Sequence, residues 1–522
     1  MSIMKIKNLI YTLSIFLLAV SCEEDFLETY PTASLSQEQV GEALAVNPAA
    51  AEGTLFGIYE QMYRLGSGGY GGQEDFGIKI QHLHTDLLSG DMAHVGKSYN
   101  RQTSISELTG TVEPDNSLVN YMPWRFLYRL VNLSNLVIDG LGGADATGPL
   151  AELDTDGKKH TMGQALAARG FAYYYLLNLF VDDISDLSQE VLPLYTSGEQ
   201  TEQPKSSLQD VFDLAISDLS NAETLLEGFV ASSKINFNQD IVRGLLAYTY
   251  GAKNDWVNTA TYAKKVVDTG IPIMSNTEIL GGFNTIDNHQ GIMWGIDVTA
   301  SQELASLFTW WGFVDVFSYS YAAVGNRKAM DSGLYAQMRS DDARQNQFPW
   351  SVLGDSWIVP CGKFYNDQLN PAIFDLPAYD PVALSQYDYR FSGPQVNVTS
   401  DAHYMRVAEF YLLHAEAEYE NGNEPEAKTS LKAIADLRIA DTSYIDALTG
   451  ADLEAEIDLQ TRIEFFGEGK SYFLMKRQRK SVTRGSNALD FAGITIEHND
   501  DRLTYEVPEE EILYNPNISN QN

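Results

Sequence analysis

The chain has 522 residues and a formal net charge of −36, with 44% apolar residues. That charge sets it against nucleic acid and anionic lipid headgroups, which would be repelled, and its plain meaning is solubility outside the cell. The only cysteines are Cys22 and Cys361, which rules out a thiolate metal cluster.

The first segment reads as an export signal. Lys5 and Lys7 precede an apolar run from Leu9 to Val20, and small Ser21 precedes Cys22. A run of about 12 residues is too short to span a bilayer, which takes about 20. A Cys after a small residue reads as a bacterial lipobox, although Ala19 stands where Leu is commoner. Residues 1–21 are therefore expected to be removed and Cys22 to be lipidated, which leaves Cys361 with no cysteine to pair with. Each buried methylene contributes about 0.8 kcal/mol, so two or three acyl chains hold a protein stably. The body of roughly 500 residues is expected to be globular, held on that tether.

Gly66–Gly72 reads as a flexible loop around Tyr70. Phe76, Ile80, Leu83 and Leu87 then mark a helix. His82, His84 and Asp86 fall within it at a spacing that puts them on different faces, so no metal site is expected there. No EF-hand loop is present; a structural Ca²⁺ bound by loop carboxylates has no support in the pattern. A polar stretch after Ser89-Gly90 carries Asp91, Tyr99, Asn100 and Arg101.

Helical periodicity follows at Leu118, Met122, Phe126, Leu130, Leu133 and Val137, and again at Met162, Leu166, Ala172, Tyr173, Leu176 and Phe180. Beyond Pro204, Ser206 and Gln209 predict a capping box for a helix through Leu208, Val211, Phe212, Ala215, Leu219 and Ala222. Ile241–Tyr250 and Trp256–Val267 read as a pair of helices turning at Lys253-Asn254-Asp255. Ala260 with Pro272 has the spacing of a tetratricopeptide unit. Tyr404, Val407, Ala408, Tyr411 and Ala415 predict a further helix, which turns at Asn421-Gly422-Asn423 into one lined by Ala427, Leu431 and Ile434. The fold class is mainly α: a tetratricopeptide-like helical-repeat scaffold over about 36–270 and 400–480. Residues 275–400 break the pattern and read as an inserted loop-rich, partly β subdomain, with a strand-like run at Gly291–Val298.

Five of the seven Trp lie in that insertion: Trp294, Trp310, Trp311, Trp350 and Trp357. Exposed rings there would suit the apolar C–H faces of sugars, with amides, carboxylates and guanidiniums meeting the hydroxyl rim. Trp310-Trp311 with Phe313, Tyr319 and Tyr321 is the densest aromatic cluster. On an extended segment neighbouring Trp rings point opposite ways, so one would be exposed. Trp294, Trp124 and Trp256 are expected in the core.

Six stretches, in order, resemble the SusD/RagB-like outer-membrane lipoproteins of Bacteroidetes. They are Phe26-Leu27-Glu28 with Pro31; Trp124, Tyr128 and Asn135; Arg169–Tyr174; Tyr404–Glu409 with Ala415-Glu416-Ala417; Arg462–Arg477; and Val507–Ile512 with Asn515-Pro516-Asn517. Thr461, Lys470 and Leu474 depart from that pattern. The acidic Glu23, Glu24 and Asp25 resemble the surface-export signal of such lipoproteins. The resemblance implies about four tetratricopeptide helix pairs in a single domain over 22–522. It also implies a cell-surface, lipid-anchored lid on a SusC-like TonB-dependent transporter, binding oligosaccharides, or in some cases peptides, without chemistry and without a cofactor. Ligand contact is expected at Tyr70, Tyr99, Asn100, Trp310 and Trp311. Two other classes compete: a surface glycoside hydrolase, which needs two carboxylates about 5–10 Å apart, and a scaffold that binds only protein.

Overall fold

A computed structural model describes residues 50–70, 72–143, 155–299, 310–316, 320–322, 324–348, 358–360, 362–364 and 399–521. The expected signal peptide, Cys22, Phe26–Pro31, Tyr319, Trp350, Trp357 and Cys361 lie outside the described residues.

The helices longer than ten residues among the described residues are α1 (Ala50–Tyr63), α2 (Ile78–Leu88), α3 (Met122–Gly140), α4 (Asp156–Phe180), α5 (Leu208–Leu225), α6 (Gln239–Ala252), α7 (Trp256–Val267), α8 (Ala408–Glu420), α9 (Glu424–Arg438) and α10 (Ala451–Glu464). From α3 to α9 each packs on the next, and α7 packs directly on α8 although residues 268–407 separate them in sequence. The fold is therefore a helical stack with a long excursion between α7 and α8. One large apolar core runs from α1 to α8 and takes in Trp294, Phe313, Phe348 and Phe364 from the excursion, and a second, smaller one joins α8, α9 and α10.

The local chemistry accounts for the helix starts. Thr155, Asn238 and Asp255 cap α4, α6 and α7 by accepting bonds from backbone amides of the first turn. For α5 the predicted cap is one residue early. Ser207, the last residue of a strand in which Ser206 pairs opposite Leu192, accepts from the amide of Asp210. Gln209 instead donates to Asp213 at 2.6 Å. The α6–α7 turn falls at Asn254, whose φ is 59°, and Ala260 is buried on α7. Trp256, at the first position of α7, is only half-buried rather than core.

α4 departs from the expected one-sided pattern. Every residue from Thr161 to Phe180 is buried, because α3 and α5 flank it and α1 and α6 also touch it. Gly170 allows the approach of α5: a Cβ there would lie 2.7 Å from Leu219 Cγ. The Arg169 guanidinium crosses the same interface. It pairs with both oxygens of Asp218 at 2.7 Å and gives Nη1 to Asn135 Oδ1 at 2.8 Å.

Among the described residues the sheets are two-stranded ribbons. The strand-like run appears as Ile292–Ile296, antiparallel to Ala402–Arg406. That pairing corrects the helix expected from Tyr404, since α8 starts only at Ala408. The strand carries Arg406 into a buried ionic cluster. Arg406 donates to Glu468 Oε1 and Oε2 at 2.8 Å and to Glu464 Oε1 at 3.1 Å. Arg344 and Arg438 also reach Glu464, and Lys363 and His403 reach Glu468. Burial would raise the pKa of Glu464, but Arg438, Arg406 and Arg344 outweigh it and hold the carboxyl well below the usual range. α2 is helical as its spacing predicts. Its His82 faces the Tyr175 hydroxyl at 3.1 Å and His84 the Tyr505 hydroxyl at 3.5 Å, two different surroundings.

Candidate ligand-binding site

Three of the five expected contact residues come to the surface on neighbouring loops. Residues 98–102 leave the end of a short ribbon in which Met92–His94 pairs with Lys328–Met330. Tyr99, Asn100 and Gln102 have φ values of 64°, 52° and 55°, a left-handed turn unusual for residues with side chains. The turn leaves Tyr99 69% exposed, and Asn100 is exposed beside it.

Interactions from distant parts of the chain hold the turn. Arg101 donates to Glu74 Oε2 at 3.1 Å and to the Tyr321 hydroxyl at 3.0 Å. Gln102 Nε2 donates to the other oxygen of Glu74, and Lys328 donates to Gln102 Oε1 at 2.7 Å. Asn326 Nδ2 donates to the carbonyl of Arg101 at 3.1 Å. Burial pushes Glu74 up, with Arg101 opposing the shift. Burial also lowers Lys328 to about 7, with Glu74 opposing.

Aromatic packing runs inward from this turn. The Tyr99 ring sits edge-on to Tyr321, which lies flat against Phe313, which in turn stacks on Phe76. The Arg101 guanidinium lies 4.7 Å from the Tyr321 ring centre. The loop bearing Tyr70 joins this region through Gln73, whose side-chain oxygen accepts the Tyr321 hydroxyl. Tyr70 itself is 40% exposed. The glycine-rich loop is also less free than expected, because the Asp75 carboxylate accepts from the amides of Gly68 and Tyr70 at 2.7 and 2.9 Å.

Trp310 and Trp311 are corrected: both are buried, at 3% and 4% exposure. They lie on a short helix, Trp310–Val314, rather than on an extended segment with alternating sides. Lys79 Nζ sits 4.3 Å over the Trp310 ring and Phe364 packs edge-on to it. Trp311 Nε1 donates to the Ser400 carbonyl at 2.9 Å. Trp294 is core as expected. Asp91 is also removed from the surface set, since it is wholly buried and paired with Arg462. Gln73, Glu74, Asn326 and Lys328 were missed. No local motif marks them: Gln73, Asn326 and Lys328 act across more than 200 residues of sequence, and Glu74 across 27 and 28.

The arrangement presents a rigid aromatic face, an exposed amide and a half-exposed guanidinium on one rim. That set can stack on an apolar ring face and hydrogen-bond the hydroxyls around it.

Two family models match the chain: one described as "Starch-binding associating with outer membrane" over residues 74–250, and the SusD family over residues 386–519. Similar solved structures include a SusD-like carbohydrate binding protein from Bacteroides vulgatus, at 22% identity and a TM-score of 0.71 over 90% of this chain and 97% of that one. A SusD superfamily protein from Bacteroides thetaiotaomicron has 20% identity and a TM-score of 0.70 over 91% and 99%. Surface glycan-binding protein A from Bacteroides thetaiotaomicron has 14% identity and a TM-score of 0.65 over 91% and 98%. Among curated proteins none matches the sequence. Two segments of the chain thus match SusD-type family models, and the chain shares the fold of SusD superfamily structures. Among the described residues no helix is long and apolar enough to cross a membrane.

Proposed function

We propose that this protein is a cell-surface lipoprotein that captures oligosaccharides at the Tyr99 platform and delivers them to a SusC-like TonB-dependent outer-membrane transporter. The observation that carries the reading is the Tyr99–Arg101 turn, which holds one aromatic ring in solvent while its neighbours in the column are buried. Tyr99 stacks on a sugar ring, and Asn100 and Arg101 bond its rim. Tyr70 is the second contact, from the adjoining loop. The family description of starch binding and outer-membrane association supports both the ligand class and the location. Lipid on Cys22 provides the anchor. The role is capture and release without turnover, and no cofactor takes part.

The test is calorimetry of the mature chain, from Cys22 onward, against a panel of polysaccharides and peptides, repeated with Tyr99→Ala. Glycan binding that Tyr99→Ala weakens supports the reading. Binding of peptides alone would move the same role to peptides, and hydrolysis of any panel member would replace it with an enzyme.

A further inference from the structure

A pocket of about 280 Å³ opens where three distant segments meet. Tyr128 and Val131 line it from α3, Pro193 and Tyr195 from the end of the strand Glu190–Pro193 and the loop beyond, and Glu511 from the short helix Glu509–Tyr514. Tyr128, Tyr195 and Glu511 are only half-buried, so each keeps surface open to an occupant.

The two tyrosines form a corner. Their ring planes stand at 86° with centroids 5.8 Å apart. Both hydroxyls are engaged elsewhere: Tyr128 donates to the Pro193 carbonyl at 3.0 Å, and Tyr195 accepts from the Gln203 amide at 3.3 Å. The rings thus meet an occupant as aromatic surface, to which Val131 and Pro193 add aliphatic surface.

The pocket is negative. Among the described residues that line it, Glu511 carries the one formal charge. Its carboxylate accepts from two neutral groups, Trp124 Nε1 at 3.2 Å and Asn515 Nδ2 at 2.8 Å, and no Lys or Arg of the described residues pairs with it. Asp139 reinforces the sign, since its Oδ2 accepts from Ser197 Oγ and the Gly198 amide in the wall, at 2.9 and 2.7 Å. The Arg169 guanidinium reaches the Thr196 carbonyl nearby, but Asp218 already neutralises it. Burial raises the Tyr195 hydroxyl, the bond from Gln203 opposes the shift, and the charges of Glu511 and Glu202 reinforce it. The chain has little else with which to neutralise the site: from Cys22 on, outside the described residues, it holds one Lys or Arg, Arg390.

Aromatic rings attract cations, and more strongly where water is excluded. An aromatic corner beside a carboxylate without a counter-ion therefore suits a positive head with an apolar collar. The volume, at the small end of ligand pockets, holds one such head and its stem. We propose that this pocket binds an organic cation, an ammonium or guanidinium on an aliphatic stem. It is separate from the Tyr99 platform and does not depend on the platform binding anything.

The experiment is calorimetry of the mature chain at low salt with choline, Nα-acetyl-lysinamide and Nα-acetyl-argininamide, and with Nα-acetyl-norleucinamide as the neutral match for lysine. At least one cation is expected to bind one to one, about tenfold or more tighter than norleucinamide. Binding of choline alone identifies a free quaternary ammonium as the source; binding of lysinamide or argininamide identifies a basic side chain of a peptide or protein. Glu511→Gln, which keeps an acceptor for Trp124 Nε1, and Tyr195→Leu should each weaken that binding by about tenfold or more, whereas Tyr99→Ala should leave it unchanged. Thermal unfolding identifies a variant that fails to fold, and Glu511→Ala or Tyr195→Met then replaces it. Norleucinamide binding as tightly as the cations marks an apolar slot and overturns the proposal. Binding untouched by Glu511→Gln places the cation elsewhere and overturns it too, as does binding of none of the three cations.

Discussion

The Tyr99 ring meets Tyr321 edge-on with centroids 5.6 Å apart, and Tyr321 lies flat on Phe313 at 5.4 Å. The column thus begins in the core and ends in solvent. Its outermost ring owes its position to the buried ones, so it is presented without the freedom of an ordinary surface tyrosine. Rigid presentation reduces the entropy lost on binding.

Tyr99→Ala removes that ring and little else. A ring covering roughly 100 Å² of sugar contributes about 2 kcal/mol, so glycan affinity should fall roughly thirtyfold. The midpoint of thermal unfolding should stay within about a degree, since the side chain is mostly in water. Calorimetry and a thermal scan check the two halves.

Arg101→Ala should act differently. It leaves the Glu74 carboxylate, at 1% side-chain exposure, without its cationic partner. A loss of about 1–3 kcal/mol in stability is expected, together with weaker glycan binding as the turn loosens. Faster amide exchange over residues 98–102, read by mass spectrometry, separates this from loss of a contact alone. Arg101→Lys should recover part of the stability but not the bond geometry.

The Arg169–Asp218 pair gives the clearest stability test of the stack. Asp218→Ala strands a buried guanidinium between α3, α4 and α5 and should cost about 3–5 kcal/mol in denaturant unfolding. Ligand affinity measured well below the new midpoint should be unchanged.

Stability should also fall as pH rises from about 4 to 6. Burial raises Asp458 to about 6, with Lys480 opposing and Glu416 reinforcing the shift. Burial raises Asp401 to about 6 as well, against bonds from the amides of Ile286 and Val298. Between their unfolded and folded pKa values the native state holds more protons than the unfolded one, so raising pH through that window favours unfolding. For Asp458 the contribution is at most about 3 kcal/mol. Asp458→Asn should flatten the slope of unfolding free energy against pH in that window.

Cys22→Ser should abolish incorporation of labelled palmitate and release the protein from the membrane fraction. Glycan affinity in solution should not change.

Much of the scaffold was legible because helices write their burial locally. The spacings at Met122–Val137 and Leu208–Ala222 mark inward faces, and those residues are buried except Leu133, which is partly so. Tyr404–Arg406 was not legible as strand, because its pairing partner lies more than 100 residues away and its own pattern continues into α8. At the site, residue type was readable and exposure was not. Tyr99 and Trp310 are both aromatic residues in irregular stretches. One stands in water and the other lies under Lys79 and Phe364, contacts that no local window contains.

The ionic cluster around Glu464 and Glu468 has a consequence for how the chain can be cut. Two of its cations, Arg344 and Lys363, precede residue 399, whereas Arg406, Arg438 and both glutamates follow it. A fragment ending before residue 399 would leave Arg344 with Asp342 alone and separate Lys363 from Glu468. One beginning after it would bury two glutamates short of their neutralising partners. Exchanging the excursion for that of a relative therefore means carrying across these two cations, even though neither lies near the ligand-facing surface.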